Sequence, residues 1–222
     1  MKIKNIKACV FDAYGTLFDV NSAAAKCKEK LGSKWEGFAN AWRTTQLEYT
    51  WLRSLMRKHK NFWEITEDSL DHTMETFKIK KELRNELLDL YKKLTPYPEV
   101  EECLKTLKEK KIKIAILSNG TPDLLKELVE SNNIQNYFDD IFSIETVGIY
   151  KPSSKVYEMP IKKYNCKAEN IFFMSSNTWD VSGGGIFGYN AVWINRFNKV
   201  FDKLSYKPTF IINNLKELLT II

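Results

Sequence analysis

The chain has 222 residues, of which 44% are hydrophobic, so it is long enough to bury one core and too apolar for a disordered protein. Its formal net charge is +6, but no basic patch alternates with aromatic side chains, which argues against a nucleic-acid partner. No stretch approaches the ~20 apolar residues of a membrane helix. The basic N-terminal segment MKIKNIK precedes an apolar run that ends at Asp12, too short for a signal-peptide core. These features predict a cytoplasmic protein that binds neither nucleic acid nor membrane.

The cysteines and histidines exclude two common kinds of hydrolase. The cysteines form neither a CxxC pair nor a metal-ligand spacing, which predicts ordinary buried or half-buried thiols. They are Cys9, Cys27, Cys103 and Cys166. The only two histidines, His59 and His72, fall within helical patterns, whereas a Ser-His-Asp hydrolase needs a histidine after its nucleophile and a zinc site needs more ligands. Any hydrolysis must therefore depend on carboxylates, lysine or both.

Short apolar runs, taken in chain order, predict the strands of a sheet. They cover residues 6–11, 112–117, 141–144, 171–174, 191–194 and 210–212. Helical patterns between several of them cover residues 123–131, 153–164 and 180–187. Continuous apolar strands that alternate with helices indicate a parallel sheet with helices on both faces, and so an α/β fold.

The segment from residue 22 to residue 95 differs, because its apolar residues repeat at helical spacing and no strand pattern interrupts them. The clearest repeats are Trp35, Phe38 and Trp42, then Leu52, Leu55 and Met56, then Leu70, Met74 and Phe77, then Leu83, Leu87, Leu90 and Leu94. We therefore predict two parts. A core comprises residues 1–21 and 96–222, and a helical cap of residues 22–95 is inserted after the first strand.

Polar residues follow three of the predicted strands. They are Asp12 after the first strand, Ser118-Asn119 after the second and Ser175-Ser176-Asn177 after the fourth. Ligands of such folds bind beyond the carboxyl ends of the strands. These side chains are therefore expected to form one polar cluster, although they are far apart in the sequence.

Four short motifs occur in a recognisable order. They are FDAYGTLFDV (residues 11–20), ILSNG (116–120), Lys151-Pro152 and SSNTWD (175–180). Together they resemble the haloacid dehalogenase superfamily. With WRTTQLEYTWLRSLM (42–56) in the cap, the chain resembles the L-2-haloacid dehalogenases over nearly its whole length. The resemblance implies a Rossmann-like core, a cap inserted after the first strand and an aspartate nucleophile.

Tyr14 stands where phosphatases of this superfamily carry a second aspartate, which protonates an alkoxide leaving group. A halide is the conjugate base of a strong acid and leaves without a proton, so Tyr14 favours carbon–halogen cleavage. Ser175 and Ser176 stand where the phosphatases carry a Gly-Asp pair, and Mg²⁺ prefers sites rich in carboxylate. Asp180 is the only acid left in that motif, so we predict no metal and no other cofactor.

The resemblance gives each charged residue of these motifs a role, beside a plainer alternative. Asp12 is expected to be the nucleophile rather than a turn former at a strand end. Lys151 is expected to neutralise the carboxylates beside it, although most lysines lie on the surface. Asp180 is expected to orient Lys151 or the hydrolytic water rather than only to cap a helix. Arg43 is expected to reach down from the cap as a clamp for halide and substrate, although a lone helical arginine is usually solvated.

The remaining candidates match supporting positions of the family, with ordinary capping or packing as the alternative. Ser118 and Asn119 can donate to a substrate carboxylate or a leaving halide. Leu47, Phe62 and Trp179 fit positions that wall the substrate pocket. The predicted catalytic residues are Asp12, Thr16, Arg43, Ser118, Lys151, Tyr157, Ser175, Asn177 and Asp180. The predicted substrate-binding residues are Ala13, Tyr14, Arg43, Leu47, Phe62, Ser118, Asn119 and Trp179.

Two features depart from the family pattern. Thr44 follows Arg43 where a longer polar residue, often Gln, is expected, so the pocket is expected to differ in shape. Residues 183–185 are three glycines where a helix should begin. Interior glycines cost ~0.5–1 kcal/mol each relative to alanine, which predicts a short or irregular helix.

The resemblance predicts the activity of an (S)-2-haloacid dehalogenase. Such an enzyme converts L-2-halocarboxylic acids to D-2-hydroxy acids and halide, with inversion, through an ester that here would form on Asp12. Water activated around Asp180, Lys151 and Asn177 would open the ester. Two alternatives are a Mg²⁺-dependent phosphatase acting on a small phosphate ester and a non-catalytic binding protein on the same scaffold. A homodimer is expected from the resemblance alone.

Overall fold

The computed structural model describes residues 5–222, so the first four residues of the segment MKIKNIK lie outside it. At its centre is a six-stranded sheet in the order β3-β2-β1-β4-β5-β6, with every neighbouring pair parallel. The strands are β1 Ala8–Phe11, β2 Lys113–Ser118, β3 Asp140–Ser143, β4 Ile171–Ser175, β5 Asn190–Ile194 and β6 Phe210–Ile212. Each predicted strand is present within two residues of its expected bounds, and the predicted α/β fold is confirmed.

Within the described residues, helices lie in the connections between strands, except that from β5 to β6, and a last helix follows β6. They are α1 Ser22–Lys26, α2 Lys28–Leu31, α3 Trp35–Leu55, α4 Phe62–Phe77, α5 Leu83–Tyr91, α6 Val100–Glu109, α7 Pro122–Ser131, α8 Ser154–Tyr164, α9 Thr178–Phe187 and α10 Leu215–Ile221. The first six lie between β1 and β2, and the first five of these lie within residues 22–95, which contain no strand. The division into a core and a cap at these bounds stays a prediction. Among residues 5–222, no helix has the length and apolar character needed to cross a membrane.

The register of the sheet brings the polar strand ends to one edge. Phe11 pairs with Ile116 of β2 and with Met174 of β4, so Asp12 lies at the same edge as the residues that follow those two strands. β1 and β4 are buried along their whole length. Because successive side chains of a strand point to opposite faces, this burial requires cover on both faces of the sheet.

Residues 22–95, which we call the cap segment, lie over that edge. The Arg43 guanidinium of α3 donates to the Tyr14 carbonyl oxygen at 3.3 Å. The Phe62 ring of α4 lies 5.1 Å from the Tyr14 ring. On the other side, the Tyr150 hydroxyl donates to the Lys60 carbonyl oxygen at 2.7 Å. The cap segment is therefore in contact with the chain on both sides of the polar cluster.

The expectation of a short or irregular helix at residues 183–185 is wrong. α9 runs without a break through all three glycines. They allow the helix to approach its neighbours closely, because a Cβ added at Gly183 would lie 2.6 Å from the Tyr157 hydroxyl. A Cβ at Gly184 would lie 2.7 Å from the Phe173 ring. The intrinsic cost of glycine in a helix is thus offset by packing that no larger residue permits.

The expected placement of one histidine is also corrected. His72 lies in α4, but His59 lies in the connection between α3 and α4. Arg57 adopts a left-handed φ of 54° just after α3, which takes the chain out of the helix before His59. The His59 Nε2 atom lies 2.9 Å from Glu145 Oε2, so this side chain joins the cap segment to the chain after β3.

The cysteines are ordinary thiols, as predicted. All four are free, with three buried and Cys166 half-buried. Burial raises the pKa of Cys103 to about 12, so this thiol stays protonated. The reactive form of cysteine is the thiolate, so a buried protonated thiol is inert.

Candidate active site

Asp12 is buried at the carboxyl end of β1, and its two carboxylate oxygens have different surroundings. Oδ2 accepts hydrogen bonds from Thr16 Oγ1 at 2.9 Å and Asn177 Nδ2 at 2.8 Å, and a longer one from Ser175 Oγ at 3.4 Å. Among the described residues, Oδ1 has one partner, the Lys151 ammonium at 3.2 Å. A carboxylate oxygen has about two lone pairs. Oδ2 is therefore saturated, whereas Oδ1 keeps a lone pair for another atom.

Lys151 connects Asp12 to a second buried carboxylate. Its Nζ lies 2.8 Å from Asp180 Oδ2, and the Tyr157 hydroxyl donates to Asp180 Oδ1 at 2.7 Å. The side chains of Lys151 and Asp180 are fully buried. An unpaired buried charge is strongly destabilising, but here each charge has an opposite charge and further hydrogen bonds. The structure thus places Lys151 beside Asp12, where the sequence expects it.

Burial and neighbouring charges together determine the pKa values of this group. Burial alone lowers the pKa of Lys151, but the Asp12 and Asp180 carboxylates outweigh it and raise that pKa. Burial raises the pKa of Asp180 from 3.8 to about 6, although the Lys151 charge opposes the shift. Asp180 is therefore ionised at neutral pH and takes up a proton below about pH 6. Burial, and then the Asp180 charge, raises the pKa of Tyr157 well above its usual range, so its hydroxyl remains a donor.

The first turn of α9 positions two of these groups. Asn177 is the N-cap residue of α9 and has an extended backbone, and its backbone N–H donates to Ser175 Oγ at 3.1 Å. This bond holds the Asn177 amide close to Asp12. Asp180 lies in the first turn of the same helix, where the helix dipole favours a negative charge.

The end of β2 supplies two further donors. Ser118 Oγ accepts the backbone N–H of Gly120 at 3.1 Å, and Asn119 Oδ1 accepts the backbone N–H of Lys151 at 3.2 Å. Within residues 5–222, neither the Ser118 hydroxyl nor the Asn119 amide NH₂ donates to another group. Both remain able to donate to an anion.

Arg43 approaches the same region from α3. Its Nη2 donates to the Tyr14 carbonyl oxygen at 3.3 Å, and its Nη1 donates to Gln46 Oε1 at 2.8 Å. Asn177 Nδ2 donates to the same Tyr14 carbonyl at 3.1 Å, so Arg43 and the amide that holds Asp12 meet at one oxygen. No carboxylate of residues 5–222 lies within ion-pair distance of Arg43. Its charge is therefore available to an anion.

A cleft of about 400 Å³ opens beside Arg43. Its walls include Leu47 and Trp179, which the sequence predicts to bind substrate, and also Thr44. Trp179 packs edge-on against Trp51 of α3, with ring centroids 5.4 Å apart, so α9 and α3 are in contact beside the cleft. Thr44 is exposed and short, so it leaves this wall more open than the longer residue expected there would.

The residues after Asp12 tie β1 to the cap segment. Ala13 is fully buried, and the Tyr14 ring stacks on Tyr91 of α5 at 5.7 Å. Burial raises the pKa of Tyr14 well above its usual range, so its phenol stays protonated. Phe62 is buried behind Tyr14 and is not among the residues that line the cleft. The structure thus brings Phe62 to Tyr14 rather than to the cleft that Leu47 and Trp179 form.

Two polar residues near the site, one buried and one half-buried, are not predicted from the sequence. Gln46 is 1% exposed and contacts Arg43. Arg196 donates to the Thr16 carbonyl oxygen at 3.0 Å and forms an ion pair with Glu99, so it supports the turn that holds Asp12. Arg196 follows the carboxyl end of β5, so the strand-end argument could have found it. Gln46 lies inside a helix and carries no such signal.

The donor set of the site suits an ammonium rather than a divalent cation. The Lys151 ammonium lies between the carboxylates of Asp12 and Asp180. Within residues 5–222, no group of three or more His, Cys, Asp or Glu side chains is arranged to hold a metal ion. Ser176 adds a neutral hydroxyl where the phosphatases have a carboxylate. A reaction without metal stays a prediction, which chelation can test.

The fold and this arrangement of charges define a class of enzyme. The family of haloacid dehalogenase-like hydrolases matches residues 6–188 of the chain. Those residues run from the start of β1 to the end of α9 and contain Asp12, Lys151 and Asp180. The protein is therefore a haloacid dehalogenase-like hydrolase.

Comparison with known relatives identifies the family within this class of hydrolases. An (S)-2-haloacid dehalogenase of Pseudomonas fluorescens is 41% identical over 218 residues, which cover 97% of this chain and 96% of the relative. A solved dehalogenase superposes with a TM-score of 0.97 at 34% identity, covering 99% of this chain and 98% of its own. The L-2-haloacid dehalogenase of Xanthobacter autotrophicus, with chloropropionic acid covalently bound, has a TM-score of 0.89 at 31% identity and 96% cover of each chain. The chain belongs to the L-2-haloacid dehalogenase family, which confirms the resemblance drawn from the motifs.

Proposed function

We propose that this protein is an (S)-2-haloacid dehalogenase, which hydrolyses L-2-halocarboxylic acids to D-2-hydroxy acids and halide. The observation that carries the proposal is the unequal pair of oxygens on Asp12, one saturated by donors and one free beside Lys151. Such a carboxylate can attack with one oxygen while the other is held. Family membership supports the same reaction, because the Xanthobacter relative holds chloropropionic acid in a covalent bond.

In the first step, Oδ1 of Asp12 attacks C2 of the substrate from the side opposite the halogen. An Oδ1–C2 bond forms while the C2–halogen bond breaks, and the halide leaves with the bonding electrons. The configuration at C2 is inverted. The halide needs no proton, so a neutral, buried phenol at Tyr14 does not hinder the step.

Arg43, Ser118 and Asn119 hold the substrate carboxylate and the departing halide. The Arg43 guanidinium contacts neutral oxygens, so it can pair with an anion without first breaking an ion pair. Ser118 and Asn119 add donors from the strand end on the other side of Asp12. Leu47 and Trp179 exclude water from one side of the cleft. Holding Oδ1, C2 and the halogen in line supplies much of the rate enhancement.

In the second step, water attacks the carbonyl carbon of the Asp12 ester. Negative charge then develops on Oδ2, to which Thr16 and Asn177 already donate. Asp180, ionised at neutral pH, accepts a proton from the water. The Cγ–Oδ1 bond then breaks, the alkoxide takes up that proton and leaves as the hydroxy acid, and the second proton of the water goes to solvent. The C2–O bond stays intact throughout, so the single inversion persists in the product.

The assembly and location of the protein are proposed on family resemblance. We propose a cytoplasmic homodimer with a core of residues 1–21 and 96–222 and a cap of residues 22–95. At the end of α3 and just after it lie strongly exposed apolar side chains, Leu52, Leu55 and Met56, with Leu55 81% exposed. A second copy would cover such a patch. The expected partners are otherwise the 2-halocarboxylate substrate and the halide ion, with no nucleic acid and no membrane.

Halide release from each enantiomer of 2-chloropropionate tests the proposal, with p-nitrophenyl phosphate and Mg²⁺ assayed in parallel. We expect the S enantiomer alone to react, at a rate that EDTA leaves unchanged. Loss of dehalogenation in EDTA with recovery in Mg²⁺ would contradict the metal-free mechanism. Mg²⁺-dependent phosphate release without halide release would instead identify a phosphatase.

A further inference from the structure

Gln46 is a buried amide in α3 with polar partners on three helices. Its Oε1 accepts a hydrogen bond from Nη1 of Arg43, also in α3, at 2.8 Å. Its Nε2 donates to Thr66 Oγ1 of α4 at 2.7 Å and to the Tyr91 hydroxyl of α5 at 3.0 Å. A buried amide is retained only where its hydrogen bonds are made, and here both of its polar atoms are bonded.

Thr66 determines which way this amide faces. The Thr66 hydroxyl donates to the Phe62 carbonyl oxygen at 2.7 Å, so its only hydrogen is used and its oxygen must accept. The NH₂ group of Gln46 must therefore face Thr66, and the carbonyl oxygen must face Arg43. The opposite orientation would set donor against donor at Arg43 and acceptor against acceptor at Thr66.

We infer that Gln46 is a positioning residue for Arg43, fixing one arm of the guanidinium so that its charge faces the substrate. This inference rests on the proposed function, in which Arg43 holds the substrate carboxylate and the halide. A hydrogen bond from a charged donor is strong, and ordering the arginine before substrate binds removes that cost from the binding step. A neutral amide orients the arginine without cancelling its charge. A carboxylate at this position would pair with Arg43 and compete with the anionic substrate.

Gln46→Met tests the inference, because it keeps a similar volume and removes the acceptor for Arg43. We expect kcat/KM for (S)-2-chloropropionate to fall between ~10-fold and ~10²-fold, since small misplacements of a substrate clamp have effects of this size. Thr73→Val is the matched control. The Thr73 hydroxyl is also buried in the cap segment and donates to the Ser69 carbonyl oxygen at 2.7 Å, without touching Arg43. Its kcat/KM should stay at the wild-type value.

The decisive measurement repeats Gln46→Met in an Arg43→Ala background at high enzyme concentration. A residue that acts through Arg43 has nothing left to position there, so kcat/KM should change less than ~2-fold further. An equal loss in both backgrounds would show a structural role and overturn the inference. So would wild-type kcat/KM for Gln46→Met alone.

Two further results complete the test. Should Gln46→Met fail to fold, Thr66→Val removes the acceptor that orients the amide, and its smaller loss must likewise vanish in the Arg43→Ala background. If Arg43→Ala alone keeps full activity, the proposed role of Arg43 fails and the positioning role fails with it. If Arg43→Ala is impaired while Gln46→Met is not, only the positioning role is overturned.

Discussion

Lys151 and Arg43 are the two cations of the site, and the protein surrounds them differently. Lys151 is fully buried after β3 and lies within 3.2 Å of the Asp12 carboxylate and 2.8 Å of the Asp180 carboxylate. Arg43 is half-buried on α3, and its partners are an amide oxygen and a backbone carbonyl. One positive charge is thus already compensated before substrate binds, and the other is not.

The difference separates two tasks that a site for anions must perform. The cation at Lys151 compensates two carboxylates in a buried place, so it must itself be matched by negative charge. In the proposed reaction the cation at Arg43 attracts a carboxylate and then a halide, so any negative partner of its own would weaken it. Neutral partners with good geometry orient the guanidinium and leave its charge to the substrate.

Removing Asp12 should have the largest effect on this arrangement. We expect Asp12→Ala to lower halide release at least ~10⁴-fold, because the other carboxylate, Asp180, is fully buried and is held by Lys151 and Tyr157. Wild-type enzyme in excess over (S)-2-chloropropionate, reacted once in H₂¹⁸O, should carry ¹⁸O in Asp12 and release unlabelled D-lactate. Heavy oxygen in that first product, with none in the Asp12 peptide, would establish direct attack by water.

Lys151→Met should lose both activity and stability, because the charge of Lys151 is paired with buried carboxylates. Removing one partner of a buried ion pair costs ~3–5 kcal/mol of unfolding free energy, measurable by urea denaturation at pH 7. Without the lysine charge the pKa of Asp180 rises further, so acid should restore part of the stability by protonating it. A wild-type unfolding free energy for Lys151→Met at pH 7 would mean that the lysine does not compensate these carboxylates.

Arg43→Ala should lose activity and keep its stability, because the charge of Arg43 has no negative partner among residues 5–222 of the protein. We expect turnover to fall on the order of 10²–10³-fold, as for loss of one donor to a developing negative charge. Arg53→Ala is a matched control on the same helix, because Arg53 is also half-buried but pairs with Asp68 at 2.6 Å. Its turnover should stay near wild type. Wild-type kinetics in a folded Arg43→Ala protein would place this guanidinium outside the reaction.

A change of pH should have the smallest effect, and it should act only on the rate of the second step, hydrolysis of the Asp12 ester. Asp180 must be ionised to accept a proton, and the Asp12 charge is one of the causes that raise its pKa to about 6. That charge disappears in the ester, so ester hydrolysis should fall in acid with an apparent pKa below about 6. Single-turnover rates of hydroxy-acid release across pH measure this limb. An acid limb above pH 6, or one that persists in Asp180→Asn, would exclude Asp180 as the proton acceptor.

The part of the site that the sheet supplies could be predicted from the sequence, because its residues lie at the ends of strands. An apolar run that stops at Asp12 or Ser118 marks both a strand and the edge where ligands bind. Lys151 and Asp180 follow no such rule, and the motif order of the family located them. The contact of Lys151 with Asp12 and that of Asp180 with Lys151 agree with that placement, while their roles stay predictions.

The part of the site that the cap segment supplies could not be predicted in this way, because its contacts join helices that are distant in the sequence. Arg43 is recognisable only through the family resemblance, and Gln46 carries no sequence signal, since its partners Thr66 and Tyr91 lie on two other helices. The prediction of a short or irregular helix at the glycine run, residues 183–185, was wrong for the same reason. Helix propensity is a local property, but the aromatic rings that require those glycines belong to distant elements.

The unequal oxygens of Asp12 have a consequence for where each product obtains its oxygen. If the hydrogen bonds from Thr16, Asn177 and Ser175 prevent the carboxylate from turning over, water always refills the Oδ1 position. Each hydroxy acid then leaves with the oxygen that the previous catalytic cycle took from solvent, and Oδ2 keeps its original atom for the life of the protein. Oxygen from solvent would therefore appear in the product one catalytic cycle after it was incorporated into Asp12.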